Sequence, residues 1–228
     1  MKFVLFDKLK GLEGVELIML IIAAALFVVI LTAAIVYLSR RKGEKAEAAR
    51  PAGSRSAVRA LVMGALCVTL SFILSYIKLF SMPMGGSITL CSMLPITMYA
   101  CWYGPKNGFL AAIAYAGLQM LQGMYIVHWA QFLLDYVVAF SCFALAAFFP
   151  KKLPLGIGVA GLARMLVSTV SGIIFFSDAA AEAGYQSAVW YSVLYNGSTI
   201  GLDTLICVVI ALLPPVAKTL AQLKPKAA

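Results

Sequence analysis

The chain has 228 residues, of which 63% are hydrophobic and 12% are charged, and its formal net charge is +9. Charged residues make up about a quarter of an ordinary soluble domain, so the composition excludes that class of protein. The bilayer is the natural solvent for such a chain. A helix of about 20 apolar residues crosses it, and several runs of that kind follow.

The first apolar run covers residues 16–38 and holds no charge between its ends. It is too long for the core of a cleaved signal peptide, and the residues before it mix acidic and basic side chains. We therefore expect residues 1–38 to be an N-terminal extension that contains one retained transmembrane helix. Residues 39–56 contain six Lys and Arg among small and polar residues, which predicts a basic linker in the cytoplasm.

Six further apolar runs follow the linker, and Gly or Pro marks most of the joints between them. They predict an all-α integral membrane protein, in which a six-helix domain over residues 57–217 follows the extra N-terminal helix and precedes a basic cytoplasmic tail, residues 218–228. The second and third runs are near the lower limit for crossing, so each is tilted, broken or packed among its neighbours. The six runs cover residues 57–80, 88–103, 108–122, 127–149, 155–176 and 187–213.

The positive charges predict the orientation, because short loops rich in Lys and Arg stay in the cytoplasm. Every second connection is basic, whereas residues 81–87, 123–126 and 177–186 contain neither Lys nor Arg. The six-helix domain is thus expected to have both ends in the cytoplasm, with the N-terminus of the chain outside a bacterial cell membrane. The basic residues border the membrane and form no single folded face, which favours contact with lipid over nucleic acid.

Two of the nine acidic residues, Asp135 and Asp203, lie inside apolar runs. A carboxylate in the middle of a membrane helix costs about 3 kcal/mol on insertion scales, so by default it faces a polar cavity or a partner. The alternative is a structural role, in which the carboxyl is neutral or pairs with Arg164 or Lys78. For Asp203 both interpretations stay open.

The fourth run carries polar residues at helical spacing, because His128, Gln131 and Asp135 stand at positions i, i+3 and i+7. Aromatic residues beside them, Tyr136 among them, are able to present stacking surfaces to a ligand, although such aromatics more often serve packing. The chain has one histidine, so no metal site is expected.

The last run begins with a second aromatic and polar concentration, in which Ser192, Asn196 and Asp203 share one helical stripe. Tyr191 and Asn196 are about 140° apart on an ideal helix. Both can therefore line one cavity only at its rim or across a local distortion, for which the Asn196-Gly197 pair is a weak signal.

Four segments carry a resemblance to a known family: 84–95, with Met-Gly-Gly-Ser-Ile-Thr-Leu and Met-Leu-Pro; Leu-Leu-Asp-Tyr-Val-Val-Ala-Phe at 133–140; Ser-Gly-Ile-Ile-Phe-Phe at 171–176; and Tyr-Ser-Val-Leu-Tyr-Asn-Gly at 191–197. In this order the segments resemble the ThiT family, the thiamine-specific S components of energy-coupling factor (ECF) transporters. The resemblance covers about residues 57–217. It implies a six-helix bundle that binds thiamine in a deep pocket and needs no other cofactor.

The resemblance also implies roles for particular residues. Asp135 and Tyr136 match the family's acidic and aromatic ligand pair, Tyr191 and Asn196 match its other polar contacts, and Phe176 stands where a stacking aromatic is expected. Gly86, Leu90 and Ser168 depart from the family pattern at pocket positions. A pyrimidine precursor of thiamine or another vitamin is therefore kept as an alternative ligand.

The family's transporters contain a transmembrane coupling protein and two ATPase subunits besides the S component. The present chain agrees with that division, because it has no Gly-x-x-x-x-Gly-Lys-Ser/Thr loop for a nucleotide. By resemblance, the small residues Ala57, Ala60 and Gly64 on the first helix of the domain dock on the coupling protein. The alternative for these three residues is ordinary packing inside the bundle.

Three other classes are less consistent with the sequence. An enzyme would need a nucleophile and a base beside Asp135 or Asp203, and neither is evident. A channel would need a polar path across the whole membrane, whereas the polar groups gather in the outer halves of two helices. A self-contained secondary transporter is the more serious alternative, but the two halves of the chain show no internal repeat.

Overall fold

The structure, a computed structural model, describes residues 54–82 and 86–224. The predicted first helix, nearly all of the basic linker and the last four residues of the tail lie outside the described residues.

The first helix of the described chain, α1, covers Ser54–Tyr76. A short antiparallel hairpin follows, in which strand β1 (Lys78–Ser81) pairs with strand β2 (Ser87–Thr89). The first predicted run of the domain therefore does not stay helical to residue 80, and the second does not begin as a helix at residue 88, because residues 78–80 and 88–89 form strands. Hydropathy gives no sign of this change, since Ile77, Leu79 and Phe80 continue the apolar run of α1.

The next two helices are short and join at a tight turn. Helix α2 covers Met93–Tyr103 and helix α3 covers Pro105–Leu121. Gly104 adopts a φ of +85° between them, a conformation that glycine adopts without strain, and Pro105 suits the first turn of α3. Most residues of α2 are buried, and its 11 residues are about 16 Å long. It thus packs among its neighbours, which was one of the predicted outcomes for a run this short.

Two of the remaining helices change their winding along their length. Helix α4 (Trp129–Phe148) contains a π-helical segment, Leu133–Val138, and ends in a 3₁₀ segment, Cys142–Phe148. Helix α7 (Ala188–Leu212) contains a π-helical turn at Gly197–Gly201.

Helix α5 (Leu153–Phe175) is regular, and the short helix α6 (Ser177–Glu182) lies in the connection that follows it. The chain then passes through α7 into helix α8 (Pro214–Leu223), which starts with two prolines. The predicted boundary between residues 217 and 218 falls inside α8.

Four helices of the described chain are long and apolar enough to cross a membrane: α1 from Ala57 onward, α4, α5 and α7. With α2 and α3 they correspond to the six predicted runs. The all-α membrane fold is therefore confirmed, with the hairpin as a local addition. Helix α5 packs against α2, α4 and α7, and α2 packs against α1 and α3, which encloses a core that includes Met93, Tyr115 and Phe143.

Candidate functional site

A cavity of about 500 Å³ lies between the hairpin and helices α1, α3, α4, α5 and α7. Its volume is in the range of small-molecule sites, which is about 300–1,000 Å³. Polar, charged and aromatic side chains line it together, including Lys78, Thr89, Tyr115, Gln119, Gln122, Tyr125, Gln131, Asp135, Tyr136, Arg164, Ser168, Phe176, Tyr191, Tyr195, Asn196 and Asp203.

The wall formed by α4 carries a hydrogen-bonded carboxylate. Asp135 Oδ2 accepts hydrogen bonds from Gln131 Nε2 at 2.8 Å and from the Ser171 hydroxyl at 2.9 Å. Gln131 is itself held by the backbone, since Nε2 also donates to the carbonyl of Tyr125 at 3.2 Å and Oε1 accepts from the N–H of Val127 at 3.3 Å. These contacts fix the position of a half-buried acceptor group that lines the cavity.

An aromatic surface adjoins this carboxylate. The Tyr136 hydroxyl accepts a hydrogen bond from the N–H of Tyr125 at 3.0 Å, and the Tyr125 ring stacks on Phe176 with 5.9 Å between centroids and 27° between planes. All three side chains line the cavity. A flat ring or an organic cation is suited to such a surface.

The wall formed by α7 presents Asn196, whose side-chain amide donates to the carbonyl of Ser192 at 2.9 Å. A Cβ atom at Gly172 would lie 2.6 Å from Ser192 Oγ, so glycine is needed where α5 approaches α7. Tyr191 lines the same cavity from a less buried position. The π-helical turn begins directly after Asn196, so the distortion predicted at this point is present. Tyr191 lies before the turn and is only partly buried where it lines the cavity.

Asp203 connects α7 to the hairpin. Its Oδ1 accepts hydrogen bonds from the N–H of Thr89 at 3.0 Å and from the Thr89 hydroxyl at 2.9 Å. On the other side of the π-helical turn, the Tyr195 hydroxyl accepts from the N–H of Gly86 at 2.9 Å. Helix α7 thereby holds strand β2 at both ends, and this network favours the structural interpretation of Asp203.

Six of the predicted ligand residues come together in the cavity: Gln131, Asp135, Tyr136, Phe176, Tyr191 and Asn196. His128 does not line it. Helix α4 begins at Trp129, so His128 is the N-cap residue in an extended conformation, where its Nδ1 accepts from the N–H of Ala130 at 3.1 Å. Its ring stacks on Phe175 with 5.2 Å between centroids. The helical spacing that grouped His128 with Asp135 does not apply outside the helix.

The predicted docking residues divide into two groups. The Tyr99 hydroxyl donates to the carbonyl of Ala60 at 2.9 Å, and the Tyr99 ring lies close enough to Gly64 that a Cβ there would be 2.8 Å from the hydroxyl oxygen. Ala60 and Gly64 thus pack inside the bundle against Tyr99, in line with the alternative to a docking role, whereas Ala57 is exposed. Of the three positions that depart from the family pattern, Gly86 and Ser168 line the cavity and Leu90 does not.

Arg164 is the main cavity residue that the sequence analysis did not assign to the site. Its guanidinium carbon lies 4.5 Å from the centroid of Phe140 and 5.3 Å from that of Phe143. Arg164 could have been identified as a candidate site residue from the sequence, because it is a lone basic residue in the middle of an apolar run. It was considered only as a partner for the acids, whose hydrogen bonds in the structure come from neutral groups.

Comparison with known proteins gives the family. Residues 61–223 match the sequence model described as Thiamine transporter protein (Thia_YuaJ). The chain belongs to this family. The matched range includes every residue that lines the cavity. The match confirms the resemblance to this family that was found in the sequence. The protein is accordingly a multi-pass membrane protein of a family of thiamine transporters.

Individual members of the thiamine transporter family are similar over most of their length. The thiamine transporter ThiT of Bacillus subtilis (strain 168) is 26% identical over 148 residues, which span 57% of this chain and 75% of the relative. A solved structure of ThiT from Listeria monocytogenes superimposes with a TM-score of 0.57 at 22% identity, over 70% of this chain and 96% of that chain. The structural likeness shows a shared fold.

Proposed function

We propose that the cavity binds thiamine and that the chain serves thiamine uptake as an S component. The observation that carries the proposal is the placement of Asp135 and Asn196 beside the stacked pair Tyr125 and Phe176 in one cavity of about 500 Å³. Thiamine joins an aminopyrimidine, with donor and acceptor groups on its edge, to a permanently cationic thiazolium ring. The carboxylate accepts from the amino group, and the aromatic rings attract the cation.

Calorimetric titration of the purified chain in detergent tests the ligand. We expect saturable binding of one thiamine per chain, and weaker binding of the free pyrimidine alcohol and of unrelated vitamins in competition. Tighter binding of the pyrimidine alcohol would favour the precursor alternative. A folded chain that binds no thiamine would contradict the proposal.

The second part of the proposal concerns the subunits that would drive transport with ATP. By resemblance to the S components, a transmembrane coupling protein and two ATPase subunits would drive transport. The chain carries no nucleotide-binding loop of the Gly-x-x-x-x-Gly-Lys-Ser/Thr type, which is consistent with this division of roles. The hydrogen bonds that Asp135 and Asp203 accept in the structure come from neutral groups, which supports a binding role over an enzymatic one.

Uptake into sealed vesicles tests this coupling. We expect labelled thiamine to accumulate only when the chain, the coupling protein, both ATPase subunits and ATP are present together. Accumulation driven by an ion gradient through this chain alone would instead show a secondary transporter.

A further inference from the structure

Strand β2 and the residue before it, Gly86, run alongside helix α7 and are bonded to it at two points. The Tyr195 hydroxyl accepts from the N–H of Gly86 at 2.9 Å, and Asp203 Oδ1 accepts from the N–H and the hydroxyl of Thr89 at 3.0 and 2.9 Å. The two bonded positions are about 10 Å apart along the strand and about 12 Å apart along the helix. The strand and the helix thus match in length between their two contacts.

The π-helical turn of α7 directs Asp203 toward the strand. Tyr195 and Asp203 are eight positions apart, which on a regular α-helix separates their directions by about 80°. The segment Gly197–Gly201 lies between them, and a π-helical turn takes in one residue more than an α-helical turn because its hydrogen bonds join residues five apart. The extra residue reduces the angle to about 20°. For the same reason Asp203 is turned away from the helical stripe that it would otherwise share with Asn196.

The position of strand β2 depends on these bonds, because the rest of the hairpin gives it little support. Strand β1 is exposed at all four of its residues, and a two-stranded hairpin alone is at best marginally stable. Thr89 is buried, and its hydroxyl oxygen also lies 2.7 Å from the hydroxyl oxygen of Ser92. Gly86, Thr89, Ser92 and Asp203 all line the cavity. The bonds to Asp203 therefore hold one wall of the cavity in place.

We propose that Asp203 is a positioning residue for the bound ligand: by accepting both hydrogen bonds of Thr89 it holds strand β2 as a wall of the cavity and thereby sets the affinity for the ligand. The inference rests on the proposed function, with thiamine as the ligand. It gives Asn196 and Asp203 different roles. Asn196 precedes the π-helical turn and contacts the ligand, whereas Asp203 follows the turn and acts through Thr89.

A matched pair of substitutions at Thr89 tests the inference. Thr89→Val has nearly the same shape but lacks the hydroxyl, whereas Thr89→Ser keeps both donors. We expect Thr89→Val to bind thiamine about tenfold more weakly than the unmodified chain, the lower end of the effect of losing a hydrogen bond to a charged group. Thr89→Ser should bind thiamine as the unmodified chain does. Titration calorimetry of the purified chain in detergent measures the dissociation constant, and its stoichiometry gives the fraction of folded chains.

Variants of Asp203 identify the residue through which Thr89 acts. Asp203→Asn keeps the shape of the side chain but offers a neutral acceptor, so it should also weaken thiamine binding. Adding Thr89→Val to Asp203→Asn should have a smaller effect than Thr89→Val has in the unmodified chain, because the two residues form one contact.

Thr97→Val is the matched control for the loss of a buried hydroxyl. Thr97 is buried in α2, its hydroxyl bonds to the carbonyl of Met93 in the same helix, and it does not line the cavity. This variant should therefore bind thiamine with the affinity of the unmodified chain.

The dissociation constant of the folded chains decides between this role and a purely structural one. If the bonds to Asp203 only stabilised the fold, Thr89→Val would lower the melting temperature and the folded fraction, and the folded chains would bind thiamine with unchanged affinity. That result, additive effects of Thr89→Val and Asp203→Asn, or an equal loss of affinity in Thr97→Val would overturn the inference and leave the proposed function standing. If Asp203→Asn does not fold, the comparison of the Thr89 and Thr97 variants decides alone. Failure of the unmodified chain to bind thiamine would contradict the proposed function and this inference with it.

Discussion

At the scale of single residues, charged side chains inside the apolar runs were the useful signal for functional positions. Asp135 and Asp203 could be identified from the sequence because so few charges lie inside the apolar runs. The scarcity of charges could not show which of the two carboxyl groups contacts a ligand and which has a structural role. The difference depends on partners distant in sequence, since Ser171 donates to Asp135, whereas Thr89 donates twice to Asp203.

Replacement of Asp135 tests its contact with the ligand. Asp135→Ala removes the acceptor for the amino group, and we expect it to weaken thiamine binding about ten- to a hundredfold, in line with about 1.5–3 kcal/mol for a charged hydrogen bond. Titration calorimetry measures the change. Asp178→Ala, at an exposed position on α6, should bind thiamine as the unmodified chain does. Equal affinities for all three proteins would remove Asp135 from the site.

At the scale of elements, the π-helical segment of α4 left no sign in the sequence, and the segment of α7 left only the weak signal of the Asn196-Gly197 pair. One contains Asp135 and Tyr136, and the other directly follows Asn196. An extra residue in a helical turn changes the direction of the side chains beyond it, and such segments are frequent at functional sites. Periodicity assumes one winding throughout a helix. It therefore identified the polar faces but not the way in which they meet.

The contact between α5 and α7 can be tested at Gly172. An added methyl group in Gly172→Ala would contact Ser192, so the helices must separate, at a cost of about 1–3 kcal/mol for overpacking. We expect a lower melting temperature in detergent and weaker thiamine binding, because Asn196 moves with α7.

The matched control for that variant lies on the same helix. At Gly158 the nearest atom to an added Cβ, in Val208, is 4.0 Å away. Gly158→Ala should therefore melt at or above the temperature of the unmodified chain. If Gly172→Ala and Gly158→Ala behave alike, the close approach of α5 and α7 does not limit stability.

At the scale of the whole molecule, composition together with the apolar runs along the chain was enough to predict an all-α membrane protein. It was not enough to find the hairpin or the cavity. Strand β2 is held by Tyr195 and Asp203, more than 100 positions later in the chain. Contacts between such distant residues leave no local pattern in one sequence. The polar and aromatic stripes of the fourth and last runs, and the resemblance to a family, indicated which helices would line a pocket but not its shape.

The orientation in the membrane remains a prediction, and the structure supplies one constraint on it. Lys224 Nζ donates to the carbonyl of Pro150 at 3.1 Å, so the end of α8 and the basic connection at Lys151 and Lys152 share one end of the bundle. We expect that end to face the cytoplasm.

Labelling of introduced cysteines with a membrane-impermeant maleimide checks the orientation. In intact cells we expect Ala181→Cys to react and Lys151→Cys to react only after permeabilisation. The unmodified chain gives the background, since its five cysteines are buried. The reverse pattern would invert the topology.

The most direct test of the central claim is an experimental structure determined with thiamine bound. The account predicts one thiamine in the cavity between α4 and α7, with its pyrimidine amino group within hydrogen-bond distance of Asp135 and its thiazolium ring near Tyr125 and Phe176. Thiamine bound elsewhere on the chain, with this cavity empty, would contradict it.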